Sequence, residues 1–195
     1  MGCCSERVIM RLSNTHQHYG AAAIALHWLM ATLIVALVVM GIYMVRLPDV
    51  GFNVTKITLI LVHKEIGVLV LVLAGARIIW RQLNPLPRLV ASVPEWQKVT
   101  AILVHLCFYA LMIALPVTGW IMSSAAGIPV SFLGLFPLPD LVPHDDILFG
   151  WLGPLHNWLG YMMAGFICLH AGAALRHHFL LRDETLQKML WSSDS

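Results

Sequence analysis

A chain of 195 residues that is 59% hydrophobic and only 11% charged cannot cover a water-facing surface, because soluble domains carry about 25% charged residues. Its net charge of +2 leaves no electrostatic footprint for nucleic acid, and its length suits one domain, read here as a single membrane unit over 1–195. Its four cysteines make no disulfide framework. Cys107 and Cys168 lie in apolar runs, where a thiol behaves as a small hydrophobe, and Cys3 and Cys4 belong to a frayed N-terminal tail. Myristoylation expects Ser or Thr where Glu6 stands. The first apolar run is too long for a signal-peptide core and lacks a clear cleavage site.

A helix needs about 20 mostly apolar residues to cross a bilayer, and four segments qualify. The first runs over about 21–45, interrupted only by His27, and Arg46-Leu47-Pro48-Asp49 stops it. The second runs over about 57–80 with His63-Lys64-Glu65 near its start, and Asn84-Pro85-Leu86-Pro87 separates it from the third. The third, about 100–123, carries His105 and Pro116; the missing amide of Pro116 predicts a kink beside the carbonyl of Met112. Between 127 and 150, Pro129, Pro137, Pro139 and Pro143 rule out a continuous helix, while Phe132, Leu133, Leu135 and Phe136 suit a membrane surface. The fourth span, about 151–175, carries His156 and His170. The fold class is all-α, an integral membrane four-helix bundle.

Orientation follows the distribution of Lys and Arg. Of 12 such residues, only Arg46, Lys56 and Lys64 lie on the side of the first and third loops. Arg7, Arg11, Arg77, Arg81, Arg88, Lys98, Arg176, Arg182 and Lys188 lie on the other, which puts both termini in the cytoplasm. Trp28, Trp80 and Trp96 then mark the inner interface, and Tyr43, Trp120, Trp151 and Trp158 the outer one.

Ionisable residues inside a membrane are costly and mark function, and imidazole is a common metal and haem ligand. A lone membrane histidine is as readily a helix-to-helix hydrogen bonder, so spacing has to decide. His156 and His170 are separated by about 21 Å along the helix axis and lie within about 40° of one face. One helix thus offers a ligand near each membrane surface, which suits two stacked haems and does not suit one metal ion. Matching depth pairs His63 with His156 at the outer side and His27 with His170 at the inner side. One turn on from each of these four stands a small residue, Ala31, Gly67, Gly160 and Ala174, the clearing a flat macrocycle needs. His105 has Tyr109 there and falls outside the ligand set.

These residues bring a family into view. The chain resembles the prokaryotic cytochrome b561 family over nearly its whole length, in Ile24–Leu29, His63–Gly67, Ala114–Gly119, His156–Tyr161 and Leu169–His178, followed by Asp183 and Leu186. The resemblance implies a di-haem b cytochrome of the bacterial inner membrane, with His27, His63, His156 and His170 as axial ligands. It also implies an oxidoreductase of the superoxide oxidase kind, with superoxide as donor and ubiquinone as acceptor.

Further roles are read from the residues. Bis-histidine ligation leaves no open coordination site, so the chemistry is outer-sphere. Lys64, with Lys56 and Arg46, supplies positive charge for an anionic donor at the outer mouth, against the acidic Asp140, Asp145 and Asp146 of the long loop. His177, two turns beyond His170 on nearly the same face, is ranked first as proton donor to a quinone, ahead of His178, with Arg77, Arg81 and Arg176 nearby. The rival reading for those residues is anchoring to lipid headgroups. At the level of the whole protein, the rival is an electron-transfer subunit of a larger respiratory complex, of hydrogenase or formate dehydrogenase type, with a redox partner protein.

Overall fold

The computed structural model describes residues 12–48, 53–87 and 94–190. Cys3, Cys4, Glu6, Arg7, Arg11, Asp49 and Arg88 lie outside them. Four long helices carry the fold: α1 (Ala21–Arg46), α2 (Val54–Leu83), α3 (Glu95–Ala125) and α4 (Asp146–Arg176). Each packs on its neighbours in the chain, and α1 closes the ring against α4. All four are long and apolar enough to cross a membrane. Large apolar side chains such as Val39, Leu61, Ile79, Leu106, Trp158 and Leu169 point out of the bundle, as they do when lipid rather than water is the solvent.

The helices overrun the apolar spans by up to one and a half turns, because backbone bonds continue past the hydrocarbon edge wherever a cap is available. Asn53 caps α2 by accepting the Lys56 amide at 3.0 Å. Pro94 precedes α3, whose first turn holds Glu95 against the helix dipole. Asp145 caps α4 by accepting the amides of Ile147 and Leu148 at 2.9 and 3.0 Å, so α4 begins more than a turn before Trp151. At the other end of α3, Gly127 (φ 67°) takes the left-handed turn that closes the helix. Both Pro116 and Pro154 lie inside continuous helices.

Two ends of the bundle differ in how they are closed. At the end where α3 turns into α4, the connecting loop forms a small hairpin, β1 (Ser131–Phe132) against β2 (Phe136–Pro137), with Gly134 (φ 67°) in its turn. Backbone and side-chain bonds stitch this loop down. Trp120 Nε1 donates to the Pro139 carbonyl, His144 Nδ1 meets the Ala125 carbonyl at 2.8 Å, and Ser124 Oγ accepts the Leu141 amide. At the opposite end lie the segments preceding α1 and following α4. There Asn14 accepts the Gly20 amide and donates to the Pro85 carbonyl, and Trp28 Nε1 donates to the Met189 carbonyl at 2.8 Å.

Between these ends sits a compact apolar plug of Met30, Ala74, Leu111, Met112 and Met163, drawn from all four helices. Met163 is 1% exposed. It stands midway between His156 and His170 on α4, about 10 Å from each along the axis. The plug therefore divides the interior into two compartments, each with its own histidines.

Candidate cofactor site

In the loop-end compartment, α2 contributes His63 and α4 contributes His156, with ring centroids 6.2 Å apart and planes at 74°. In the terminal-end compartment, His27 of α1 faces His170 of α4 at 6.3 Å and 64°. A metal-to-imidazole bond is about 2 Å, and the ring centre lies about 1 Å behind its nitrogen, so imidazoles facing across one iron have centroids about 6 Å apart. Both pairs have the separation that bis-histidine haem ligation requires.

Space and hydrogen bonding agree with that geometry at the loop end. A cavity of about 340 Å³ adjoins His63 and His156 and is lined by glycines 41, 67, 119 and 160, within the range of cofactor sites. A Cβ at Gly67 or Gly160 would meet nothing within 4 Å, whereas one at Gly119 would come within 3.2 Å of His156 Cε1. The first two glycines keep a clearing and the third lets α3 approach the ring. His156 is also held in one tautomer. Thr118 Oγ1 donates its single proton to the Ala114 carbonyl at 2.7 Å, so it accepts from His156 Nδ1 at 3.1 Å. His156 Nε2 is then the bare nitrogen, which is the one a metal takes. His63 Nδ1 is buried and has no hydrogen-bond partner.

The terminal-end pair is prepared differently. Arg77 Nη2 lies 3.2 Å from His27 Nδ1. A guanidinium only donates, so this Nδ1 accepts and Nε2 holds the ring proton. For Nε2 to hold an iron, that proton would have to leave to solvent or move to Nδ1, where it would oppose the Arg77 contact. His170 is further hemmed by Phe108 at 5.4 Å and by His105 at 5.5 Å. His105 is thus near the pair but nearer to His170 than an imidazole across an iron would be. Arg81 lies 5.7 Å over the Tyr109 ring.

The remaining sequence-predicted residues fall as follows. His177 opens a π-helical turn, His177–Leu181, that ends at Arg182 in a left-handed conformation (φ 52°). Such turns recur at functional positions. The turn brings His177 Nδ1 within 2.5 Å of Asp183 Oδ2. Burial pushes the Asp183 carboxyl up, but its bonds with His177 and Thr185 outweigh that and hold it below the ordinary 3.8. The His178 ring lies against Phe179 at 4.8 Å. Lys64 does not stand out as a solvated cation: its Nζ donates to Ser123 Oγ at 3.0 Å and to the Pro129 carbonyl at 2.9 Å. Both acceptors are neutral oxygens. Lys56 likewise reaches the Leu47 carbonyl. Two of the acidic residues of the loop are occupied locally, Asp145 as a helix cap and Asp146 beside His144 at 3.7 Å.

Thr118 lies within the family-like stretch Ala114–Gly119, but no sequence pattern marks it as the partner of His156. Nor does any mark the bond between Glu65 and Ser131 or the bond between His177 and Asp183.

Comparison with known proteins agrees with this architecture. The family model described as prokaryotic cytochrome b561 matches residues 18–192. The chain is 32% identical to cytochrome b561 homolog 2 of Escherichia coli (strain K12), over 95% of this chain and 98% of that protein. It is 34% identical to cytochrome b561 homolog 1 of the same organism over 66% and 72% of the respective chains. It is 29% identical to a probable superoxide oxidase of Yersinia pestis over 90% and 97%.

Proposed function

The chain belongs to the prokaryotic cytochrome b561 family, and from that premise we propose that it oxidises superoxide at the periplasmic face and reduces ubiquinone at the cytoplasmic face. Membership makes it a haem b-binding, electron-transferring, multi-pass protein of the bacterial inner membrane. The observation that carries the proposal further is the presence of two imidazole pairs, at 6.2 and 6.3 Å, at opposite ends of one helix. In this reading both termini are cytoplasmic, the loop end is periplasmic, and the whole chain works as one membrane unit.

Two haem b groups, when bound, carry single electrons between the two membrane faces. His63 and His156 hold the outer one, and His27 and His170 the inner one. An imidazole pair would leave the metal no open position, so a donor would give up its electron without bonding to it. Each superoxide loses one electron and leaves as dioxygen. Ubiquinone gains two electrons and two protons, so two superoxides are consumed for each quinol formed.

The chain's own residues supply the rest. Lys64, Lys56 and Arg46 draw an anion toward the outer mouth. His177, backed by Asp183 at Nδ1, hands protons to the quinone from Nε2. The similarity to a probable superoxide oxidase supports superoxide as donor.

The test is spectroscopic and kinetic. Purified protein should bind two haems with bis-histidine b-type spectra, reduce within the mixing of a superoxide pulse, and pass the electrons to ubiquinone. Normal reduction by a quinol but none by superoxide removes the donor assignment. Stable co-purification of a hydrogenase or dehydrogenase partner favours the subunit reading instead.

A further inference from the structure

Residues 63, 64 and 65 follow one another on α2, and a helix turns about 100° per residue. His63 and Lys64 both line the cavity, and the side chains of Lys64 and Glu65 reach the end of α3 and the α3–α4 loop. Lys64 Nζ donates to the Pro129 carbonyl and to Ser123 Oγ, and Ser123 Oγ in turn donates to the Ile128 carbonyl at 2.8 Å. Ser131 Oγ donates to Glu65 Oε1 at 2.8 Å. Between these anchors the Val130 carbonyl accepts the Leu138 amide at 2.8 Å. Four consecutive loop residues are therefore tied down, two of them directly by the residues that follow His63.

That tethering has a spatial consequence. Val130 lies between the Lys64 and Glu65 contacts and is only 2% exposed. Together with Ile128 it forms part of the wall of the cavity that holds His63 and His156. Across the hairpin, a side chain at Gly134 would sit 3.9 Å from the same Glu65 Oε1, so the carboxylate is packed by the loop on two sides. Pinning of this kind on an otherwise apolar, proline-rich loop closes that side of the cavity to anything large.

We propose that Glu65 is a positioning residue that determines donor size: by holding Ser131 it keeps residues 128–131 seated as the cavity wall. The His63–His156 site is then open to small ions and molecules and closed to a protein donor. This inference rests on reading that pair as a cofactor site, and its test separates the two.

The experiment uses the full-length, haem-loaded protein and compares Glu65→Ala, Glu65→Gln and Ser131→Ala with wild type. Losing a hydrogen bond to a charged acceptor should raise amide exchange across 128–138 by about tenfold or more in Glu65→Ala. Glu65→Gln retains a carbonyl acceptor and should restore protection. Haem reduction is then followed with dithionite, a small anion, and with reduced flavodoxin, a protein-sized donor. The flavodoxin rate should rise with the exchange rate in Glu65→Ala and Ser131→Ala, while the dithionite rate stays at the wild-type level. Unchanged exchange in both alanine variants overturns the tether. Raised exchange with an unchanged flavodoxin rate overturns the size filter. Absence of a Soret band in wild type would sink the cofactor reading instead, and the exchange arm would still report on the tether.

Discussion

Thr118 Oγ1 stands 3.1 Å from His156 Nδ1 with its own proton committed to the Ala114 carbonyl, so the ring is held with Nε2 bare. A hydroxyl on a neighbouring helix thus decides which nitrogen of the His156 ring carries the proton. Partners of this kind are worth about 10- to 100-fold in metal affinity. Thr118→Val keeps the shape and removes the acceptor. Haem loss from the His63–His156 pair to an apoprotein scavenger should accelerate by a factor in that range, with the other haem unaffected and with Thr118→Ser close to wild type.

The ligand map makes a second prediction. His63→Ala or His156→Ala should abolish one haem signal, and His27→Ala or His170→Ala the other, each lowering the Soret absorbance by about half. His105→Ala should keep both haems, because its ring lies 5.5 Å from His170 rather than at the separation shared by the two pairs. Loss of a haem in His105→Ala with retention in His27→Ala would reverse the assignment of the inner ligand.

The glycines give a steric test of the cavity. Gly67 and Gly160 have open space where a side chain would begin, so Gly67→Leu and Gly160→Leu should fold and insert. Yet each fills the clearing beside its histidine. The haem-to-protein ratio should fall toward one while the His27–His170 signal persists. Gly119→Ala works differently, since its Cβ would press His156 Cε1 at 3.2 Å. It should shift the spectrum of the same haem without emptying the site.

The parts of this structure that could be read from sequence are those governed by a period or a thickness. Four apolar spans follow from the hydrocarbon width, and the His156–His170 face follows from 3.6 residues per turn. The helix ends were set too short because hydropathy reports where lipid stops, whereas backbone bonding stops at a cap. Asp145 is the start signal of α4, yet by composition alone it is one more acidic loop residue. Lys64 reaches Pro129 across 65 residues and Glu65 reaches Ser131 across 66; no local pattern encodes such contacts. His177 meets Asp183 only because Arg182 takes a left-handed conformation, which non-glycine residues seldom adopt. Nothing in the residue string announces it.

That last contact yields a pH prediction. The Asp183 carboxyl is held below 3.8 in the folded chain, so the fold favours its ionised form. Its contribution to docking of the 183–190 segment is therefore fully present above 3.8 and is lost as pH falls through the lower folded value. Amide exchange of this segment, corrected for intrinsic rates, should be flat between about pH 5 and 8 and should rise in stronger acid. Asp183→Asn keeps the shape and some hydrogen bonding but removes the charge. The two side chains are largely shielded from solvent, so loss of the charge on the acceptor should ease opening by about 1 kcal/mol, a factor of about five, and the acid-induced rise should shrink. If His177 delivers protons to quinone, the same variant should slow ubiquinone reduction while leaving reduction of the outer haem by superoxide unchanged. Equal slowing of both half-reactions would mean that Asp183 serves only the fold.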